Sequence, residues 1–358
     1  MRLLFLGDLA YDYSDVKEDI KKIGRTIREN DLRAVINLEG PICDGTERQR
    51  IKRGSHLHQG KGVIDVLKEL SAIGVTLSNN HMMDFGSLGC RKTIERLDDA
   101  GILYCGAGSD IHSAVEPMIL KDEMGETAVF NFGWAGEETV YAGKCSYGCS
   151  PRENKIVLDN VKHYAVTHPQ NSVIVTLHWG FEFNAYPMPY DIDLGHKLLE
   201  IPNVRIVIGH HPHCPQTVEE YKGKKIYYSL GNFYFGSRRK KFSMKKFPTE
   251  PVDRSNYGIA VVFDTVTGES SEKIVFYDEK KDESYFTECG KMPEKQPDAD
   301  PLSKDYLKLY RNTALKGNPF LGTDEKMNRK MTAQFNFARN VLRFVPFTNV
   351  LLKLVKRK

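Results

Sequence analysis

Five places in the sequence gather side chains of the kind that bind divalent cations: Asp8, Glu39, Asn80 with His81, His178, and the run His210-His211-Pro212-His213. Carboxylate, amide oxygen and imidazole together form the borderline-to-hard donor set suited to Mn²⁺, Zn²⁺ or Fe²⁺. Each alone has an ordinary explanation. A strand-end Asp commonly forms a turn or caps a helix. Glu39, in NLEGP, precedes a Gly-Pro turn. His211 and His213 are a stronger signal, because alternate positions on an extended segment put two imidazoles on one side; a solvent-exposed loop is the alternative. Their shared placement is what informs: each follows a predicted strand, and in layered α/β folds strand ends are where side chains from distant segments converge on one crevice.

The elements that must position them alternate along the first 235 residues. Short apolar runs at 3–6, 34–38 and 75–77 are followed by helical patterns at 15–30, 62–73 and 88–100, the signature of a layered α/β fold. Further strands are expected at 102–105, 127–133, 172–177, 204–209, 225–230, 257–263 and 271–277. Several of the later ones follow each other without a long helix between, which predicts antiparallel pairs and a core between two sheets. The stretch 279–301 carries many charges and three prolines and reads as a linker. Residues 302–316 and 324–356 read as helices, broken at Pro346 because proline removes an amide donor and clashes with the preceding turn.

The ordered blocks LGD (6–8), NLEGPI (37–42), NNHMMDFG (79–86), HWGFEF (178–183), GHHPHCPQ (209–216) and YSLGNF (228–233) resemble the CapA family of capsule and poly-γ-glutamate synthesis proteins, within the calcineurin-like metallophosphoesterase superfamily. The resemblance spans about residues 1–265. It implies a four-layer α/β/β/α sandwich, placed at 1–278; the linker at 279–301 and the helical C-terminal extension at 302–358 rest on the sequence pattern, since 280–358 match no known family. It also implies two divalent metal ions (Mn, Zn or Fe): Asp8, Glu39 and His213 on one, Asn80, His178 and His211 on the other, with Glu39 bridging. His81 matches the superfamily histidine that contacts phosphoryl oxygens and protonates the leaving group. Two departures stand out. The superfamily's first block is commonly Asp-x-His, where this chain has Ala10, and its bridging carboxylate is generally Asp, where this chain has Glu39. Implied function divides accordingly, into a metal-dependent hydrolase of capsular or envelope polymer metabolism and a weakly catalytic or non-catalytic polymer-binding accessory.

Neighbouring residues extend the site. Pro212 restrains the backbone in favour of His211 and His213 pointing together, which turns His210 away into a supporting or substrate-contacting place. Asp84 suits a carboxylate–imidazole hydrogen bond that orients His81; a helix cap is the alternative. Glu182 and Asn232 are candidates to line the pocket. His56 and His58 follow a charged loop and read as solvated. The segment 235–246 holds six cations in twelve residues, Arg238 and Arg239 among them. It reads either as a solvated loop or as a collar attracting an anionic small-molecule or polymer substrate.

Composition limits the remaining choices. The 358 residues, 41% apolar and 27% charged, describe a folded protein. Net charge is +4, but 326–358 hold nine Lys/Arg and no Asp/Glu, leaving 42 Lys/Arg against 47 Asp/Glu in the first 325. A mildly acidic body argues against nucleic acid as a partner. Seven scattered cysteines suit reduced thiols and a cytoplasmic setting, and no run approaches the ~20 apolar residues that cross a bilayer. In the tail, Phe335, Ala338, Val341, Leu342 and Val345 repeat at helical spacing among basic residues. Such a stripe packs on its own protein or lies on an anionic membrane, where 331–358 would make a peripheral contact at the inner face. Sedimentation with anionic vesicles separates the two: an anchor predicts that deleting 325–358 abolishes binding, and unchanged binding rules it out.

Overall fold

The computed structural model describes residues 1–287 apart from 53–54, 124, 185, 236–254 and 279, together with Tyr306 and Tyr310. Its first strand sets the pattern. In β1 (Arg2–Leu9), Leu3 and Phe5 face one way, Leu4 and Leu6 the other, and all four are buried. A strand apolar on both faces needs a covering layer on each side.

β1 lies in an eight-stranded sheet. On one side of it run β2 (Arg33–Leu38), β3 (Ala72–Thr76) and β4 (Leu103–Cys105), all parallel; on the other run the antiparallel β14 (Tyr257–Asp264), β15 (Ser270–Asp278) and β16 (Glu283–Thr287). The short β13 (Asn232–Tyr234) pairs parallel with the end of β1. A second sheet has the order β11 (Val218–Tyr221), β12 (Lys224–Tyr227), β10 (Val204–His210), β9 (Ser172–His178), β7 (Gly125–Gly133), β6 (Met118–Asp122). β5 (Ala107–Gly108) and β8 (Gly148–Cys149) form a small separate pair.

The inner faces of the two large sheets meet. Leu3, Phe5, Val35, Ile259 and Val261 of the first pack in one cluster with Val129, Ile174, Ile206 and Ile208 of the second. The outer face of the first sheet is covered by α1 (Glu18–Glu29), α2 (Val63–Glu69) and α3 (Gly86–Ala100), whose Ile20, Ile23, Ile27, Val66 and Leu97 join Leu4 and Leu6. The second is covered by α5 (Asn154–Thr167) and α6 (Pro189–Leu199), with Val157, Val161, Ile192 and Leu198 against Val173, Val175 and Leu177. The short α4 (Ile111–Val115) precedes β6. The result is the expected α/β/β/α sandwich.

Several boundaries differ from expectation. The helix expected at 62–73 ends at Glu69, because Ala72 already pairs with Ala34 in the first sheet. The interval 279–301 is not linker throughout: Glu283–Thr287 is an edge strand, with Phe286 packed on the core and Tyr285 edge-on to Phe276. Two aromatics outweigh the flanking charges there. Of the expected extension, Tyr306 and Tyr310 are buried in the α6 cluster, and the Tyr306 hydroxyl donates to the Pro187 carbonyl at 2.9 Å. The other residues of 302–358, like Arg238 and Arg239, lie outside the described residues. Among the described residues no helix is long and apolar enough to cross a membrane.

One irregularity aims the first site residue. On β1 the odd positions face the second sheet, so Asp8 should face the helices. The β1–β2 register slips between Leu6 and Asp8, and a bulge of this kind turns a side chain to the other face. Gly7 sits at the slip, where a Cβ would stand 2.0 Å from the Gly231 carbonyl oxygen. Gly7→Ala should therefore lower stability by about 1–3 kcal/mol through overpacking, read as a reduced urea midpoint with an unchanged m-value.

Candidate metal centre

Asp8, Glu39 and His213 are buried together at the strand ends, with one ligand atom from each lying within 4.8 Å of the others. Asp8 is held from three sides. Asn37 donates to its Oδ1 at 2.8 Å and is held in turn by Thr76 at 3.1 Å, while His210 Nδ1 lies 3.4 Å and His213 Nδ1 3.3 Å from its two oxygens. Burial alone would raise the Asp8 pKa, but the histidines His210 and His213 outweigh it and hold the carboxyl well below its ordinary range.

Glu39 contrasts with it. Both of its carboxylate oxygens are buried without a hydrogen-bond partner, His213 Nε2 standing 3.6 Å and His81 Nε2 3.9 Å away. Burial pushes its pKa well up, with Asp8 and Glu182 adding repulsion and His213 opposing. For His213, burial disfavours charge, yet Glu39 and Asp8 raise its pKa to about 10. Asn232 accepts from His213 Nδ1 at 2.9 Å and donates to the His213 carbonyl at 3.2 Å, which leaves Nε2 directed at Glu39. A supporting amide or carboxylate that fixes an imidazole in this way is the usual partner of a metal-ligating histidine.

A second group adjoins the first. Asn80 Oδ1 and His178 Nε2 are 3.0 Å apart, and the His178 and His211 rings are 4.8 Å apart between centroids. Neither nitrogen of the fully buried His211 has a hydrogen-bond partner. Burial, then the charge of His213, lowers the His211 pKa to about 3, and burial likewise lowers His178. Imidazoles kept neutral, with nitrogens left over inside the protein, are what a cation requires. Buried polar atoms without partners are otherwise rare, so the donor set fits divalent metal at both groups.

The structure brings together all six expected ligands and His81, and revises how four expected residues are placed. His210 does not turn away: it continues the inward row of Ile206 and Ile208 and packs against Asp8, so it backs a ligand instead of facing substrate. His211 and His213 do not converge through an extended chain. Both have left-handed backbones, φ 99° and 56°, a strained choice for residues with a Cβ that is concentrated at functional sites. Asn232 is buried behind His213, away from the rim. Asp84 pairs with His81 Nδ1 at 2.6 Å as expected, and partly exposed Glu182 acts electrostatically on Glu39 and His213. His56 and His58 are part-buried against Phe85, so their segment is packed, not solvated.

Other residues escaped the sequence reading. Asn79 donates to the Leu38 carbonyl and accepts from the Gly40 and His81 amides, tying the Glu39 turn to the Asn80 turn. Glu137 reaches within 3.9 Å of His211 Nε2. Lys52 is buried beside His81 and Asp84. Asn37 was within reach: it lies two residues before Glu39, on the same strand face.

Residues 3–237 match the family model described as bacterial capsule synthesis protein PGA_cap. The chain is 29% identical over 204 residues to the capsule biosynthesis protein CapA of Bacillus anthracis, covering 56% of this chain and 49% of that one. It is 28% identical over 200 residues to the PGA biosynthesis protein CapA of Bacillus subtilis (strain 168), covering 56% and 52%. The chain thus spans about half the length of these relatives. Among solved structures, NAD nucleotidase of Haemophilus influenzae superposes with a TM-score of 0.46 at 11% identity, covering 96% of this chain and 68% of that one.

A proton on His213 competes with metal. Its raised pKa, about 10, means that the metal-free site holds this proton at neutral pH. Cation uptake must expel it. Apparent affinity should then rise about tenfold per pH unit between pH 6 and 8 for each proton released, and titration calorimetry in buffers of different ionisation enthalpy should count at least one proton.

Proposed function

The chain belongs to the bacterial capsule synthesis protein family PGA_cap, and from that premise we propose that it is a binuclear metal-dependent hydrolase of anionic envelope or capsular polymer metabolism. Its substrate class is a phosphoester, with an amide of an anionic polymer as the second choice. The observation that carries this reading is Glu39, a buried carboxylate with no donor on either oxygen, set between two groups of imidazoles and beside His81.

Asp8, Glu39 and His213 would hold one divalent cation and Asn80, His178 and His211 a second, with Glu39 shared. Two such ions acidify a water and stabilise the charge that develops on phosphoryl oxygens during in-line attack. Everything else falls to the protein. Asn37 and Asn232 hold Asp8 and His213 in place through directed hydrogen bonds. Asp84 takes the Nδ1 side of His81, leaving Nε2 toward Glu39 to meet a leaving-group oxygen. Burial lowers the His81 pKa to about 4, with Lys52 adding to the effect. An anionic ester entering the site would favour the protonated ring, a change of the sort that tunes an acid to its task.

A second reading is favoured by Ala10, which stands two residues after Asp8 where an imidazole would complete the first group. On that reading the crevice binds polymer for a synthesis assembly and turns over little or nothing, since a site can persist while its activity changes.

Wild-type protein should take up two equivalents of Mn²⁺ or Zn²⁺ by elemental analysis, and His213→Ala should lose at least one. His81→Ala should keep both metals yet lose about 10²-fold or more of turnover on p-nitrophenyl phosphate and bis-p-nitrophenyl phosphate. Bound metal without turnover on any phosphoester or polymer selects the accessory reading, and protein unable to take up metal defeats both.

A further inference from the structure

Lys52 touches neither the ligand groups nor the place where a substrate would sit, yet it is one of the most deeply placed cations of the described chain. Its side chain is 2% exposed. It lies on the segment between β2 and α2, away from every strand-end block. Burying an ammonium group costs several kcal/mol unless it is paired well, and a methionine would fill the same space without that cost. Something specific must be gained by the charge.

Its partners show what. Lys52 Nζ lies 2.6 Å from Asp84 Oδ1 and 2.9 Å from His81 Nδ1. Asp84 is itself fully buried and divides its oxygens. Oδ1 faces Lys52, with Arg50 further off at 3.7 Å, while Oδ2 faces His81 Nδ1 at 2.6 Å and accepts from the Leu57 amide at 2.8 Å. A ring nitrogen carries either a proton or a lone pair, so His81 Nδ1 cannot donate to Asp84 and accept from Lys52 at once. The shorter contact of Nδ1 is with Asp84, and the Lys52 ammonium is ion-paired with Asp84 Oδ1 at 2.6 Å. The consistent arrangement runs from ammonium to carboxylate to Nδ1–H, leaving Nε2 turned toward Glu39 at 3.9 Å. Without the ammonium, a fully buried carboxylate would face a ring nitrogen and a single amide, with Arg50 too distant for a hydrogen bond.

We propose that Lys52 is a positioning residue that holds Asp84 so that the carboxylate fixes His81 with Nδ1 protonated and Nε2 presented to the candidate metal centre. The proposal deepens the hydrolase reading, because it rests on His81 meeting the leaving group. Its first test does not depend on turnover.

The test uses the full-length chain with Lys52→Met and Lys52→Arg, loaded with Zn²⁺. Long-range ¹H–¹⁵N spectra report which ring nitrogen of His81 is protonated, the signals being identified by their loss in His81→Ala. The expected result is an Nδ1–H pattern in wild type, a changed pattern in Lys52→Met with zinc stoichiometry intact, and return toward wild type in Lys52→Arg. Where phosphatase turnover exists, Lys52→Met should lower kcat by tenfold or more with KM within about twofold, and should slow phenyl phosphate more than p-nitrophenyl phosphate, since the poorer leaving group needs the proton more. Unchanged His81 signals in Lys52→Met overturn the proposal, as does loss of zinc together with the signals, which would make Lys52 part of the metal site or of the fold. Should Lys52→Met not fold, Lys52→Gln is read by the same spectrum. A wild type without turnover sinks the hydrolase reading alone and leaves the spectra to decide Lys52.

Discussion

Two carboxylates buried side by side, Asp8 and Glu39, are the constraint on which the rest of this structure turns. Like charges at close range inside a protein repel strongly, and neither is stable there without compensating positive charge. Asp8 is compensated by an asparagine and two histidines. Glu39 is not: its oxygens meet no donor at all, and the charges of His213 and, more weakly, Lys52 oppose the cost of its burial without overcoming it. A cation shared between them would answer the charge and the missing contacts together. Glu39 and Asp8 in turn raise the His213 pKa against its burial, so positive charge on that ring offsets part of the repulsion.

The two-sheet architecture makes such a cluster attainable. Sheets packed face to face exclude water from the interface between them, and at the end of that interface apolar rows give way to polar ones. Ile206 and Ile208 are followed on the same face by His210, Ile174 by Thr176 and His178, and Val35 by Asn37 and Glu39. The register pairs His210 with His178 and Asp8 with both Asn37 and Asn232, so neighbouring strands deliver their polar ends at one level. Where alternation would point a residue wrongly, local geometry intervenes: the slip at Gly7 turns Asp8 inward, and left-handed backbones at His211 and His213 redirect two rings.

These devices also explain what was legible in the sequence. Strand-end placement of Asp8, Glu39, Asn80, His178 and the histidine run was readable, because apolar runs mark strands and the side chains after them must lie near the crevice. Orientation was not. An extended chain at Pro212 would turn His210 outward, whereas strand parity turns it toward Asp8. Nor could spacing find contacts between segments far apart in the chain. Asn232 meets His213 because β13 runs beside β1, and Lys52 meets Asp84 across 32 positions of sequence that include a helix and a strand. The edge strand at Glu283–Thr287 escaped for a related reason: its partner β15 supplies the apolar surface that a charge-rich stretch does not advertise.

The arrangement around His81 bears on whether the crevice only binds. A docking surface for an anionic chain needs exposed positive charge and exposed cations. Here Lys52 is buried and neutralised against Asp84, directing nothing toward solvent, and its contacts converge on one nitrogen of one histidine. Fixing an imidazole on its far side controls which atom it offers on the near side, and that control matters when a proton must be delivered to a defined atom. Static binding gains little from it. Ala10 leaves the first group without the imidazole that the resemblance leads one to expect, but the Lys52–Asp84–His81 assembly stands apart from that position. That convergence on one ring nitrogen is what supports the proposed chemistry over adhesion.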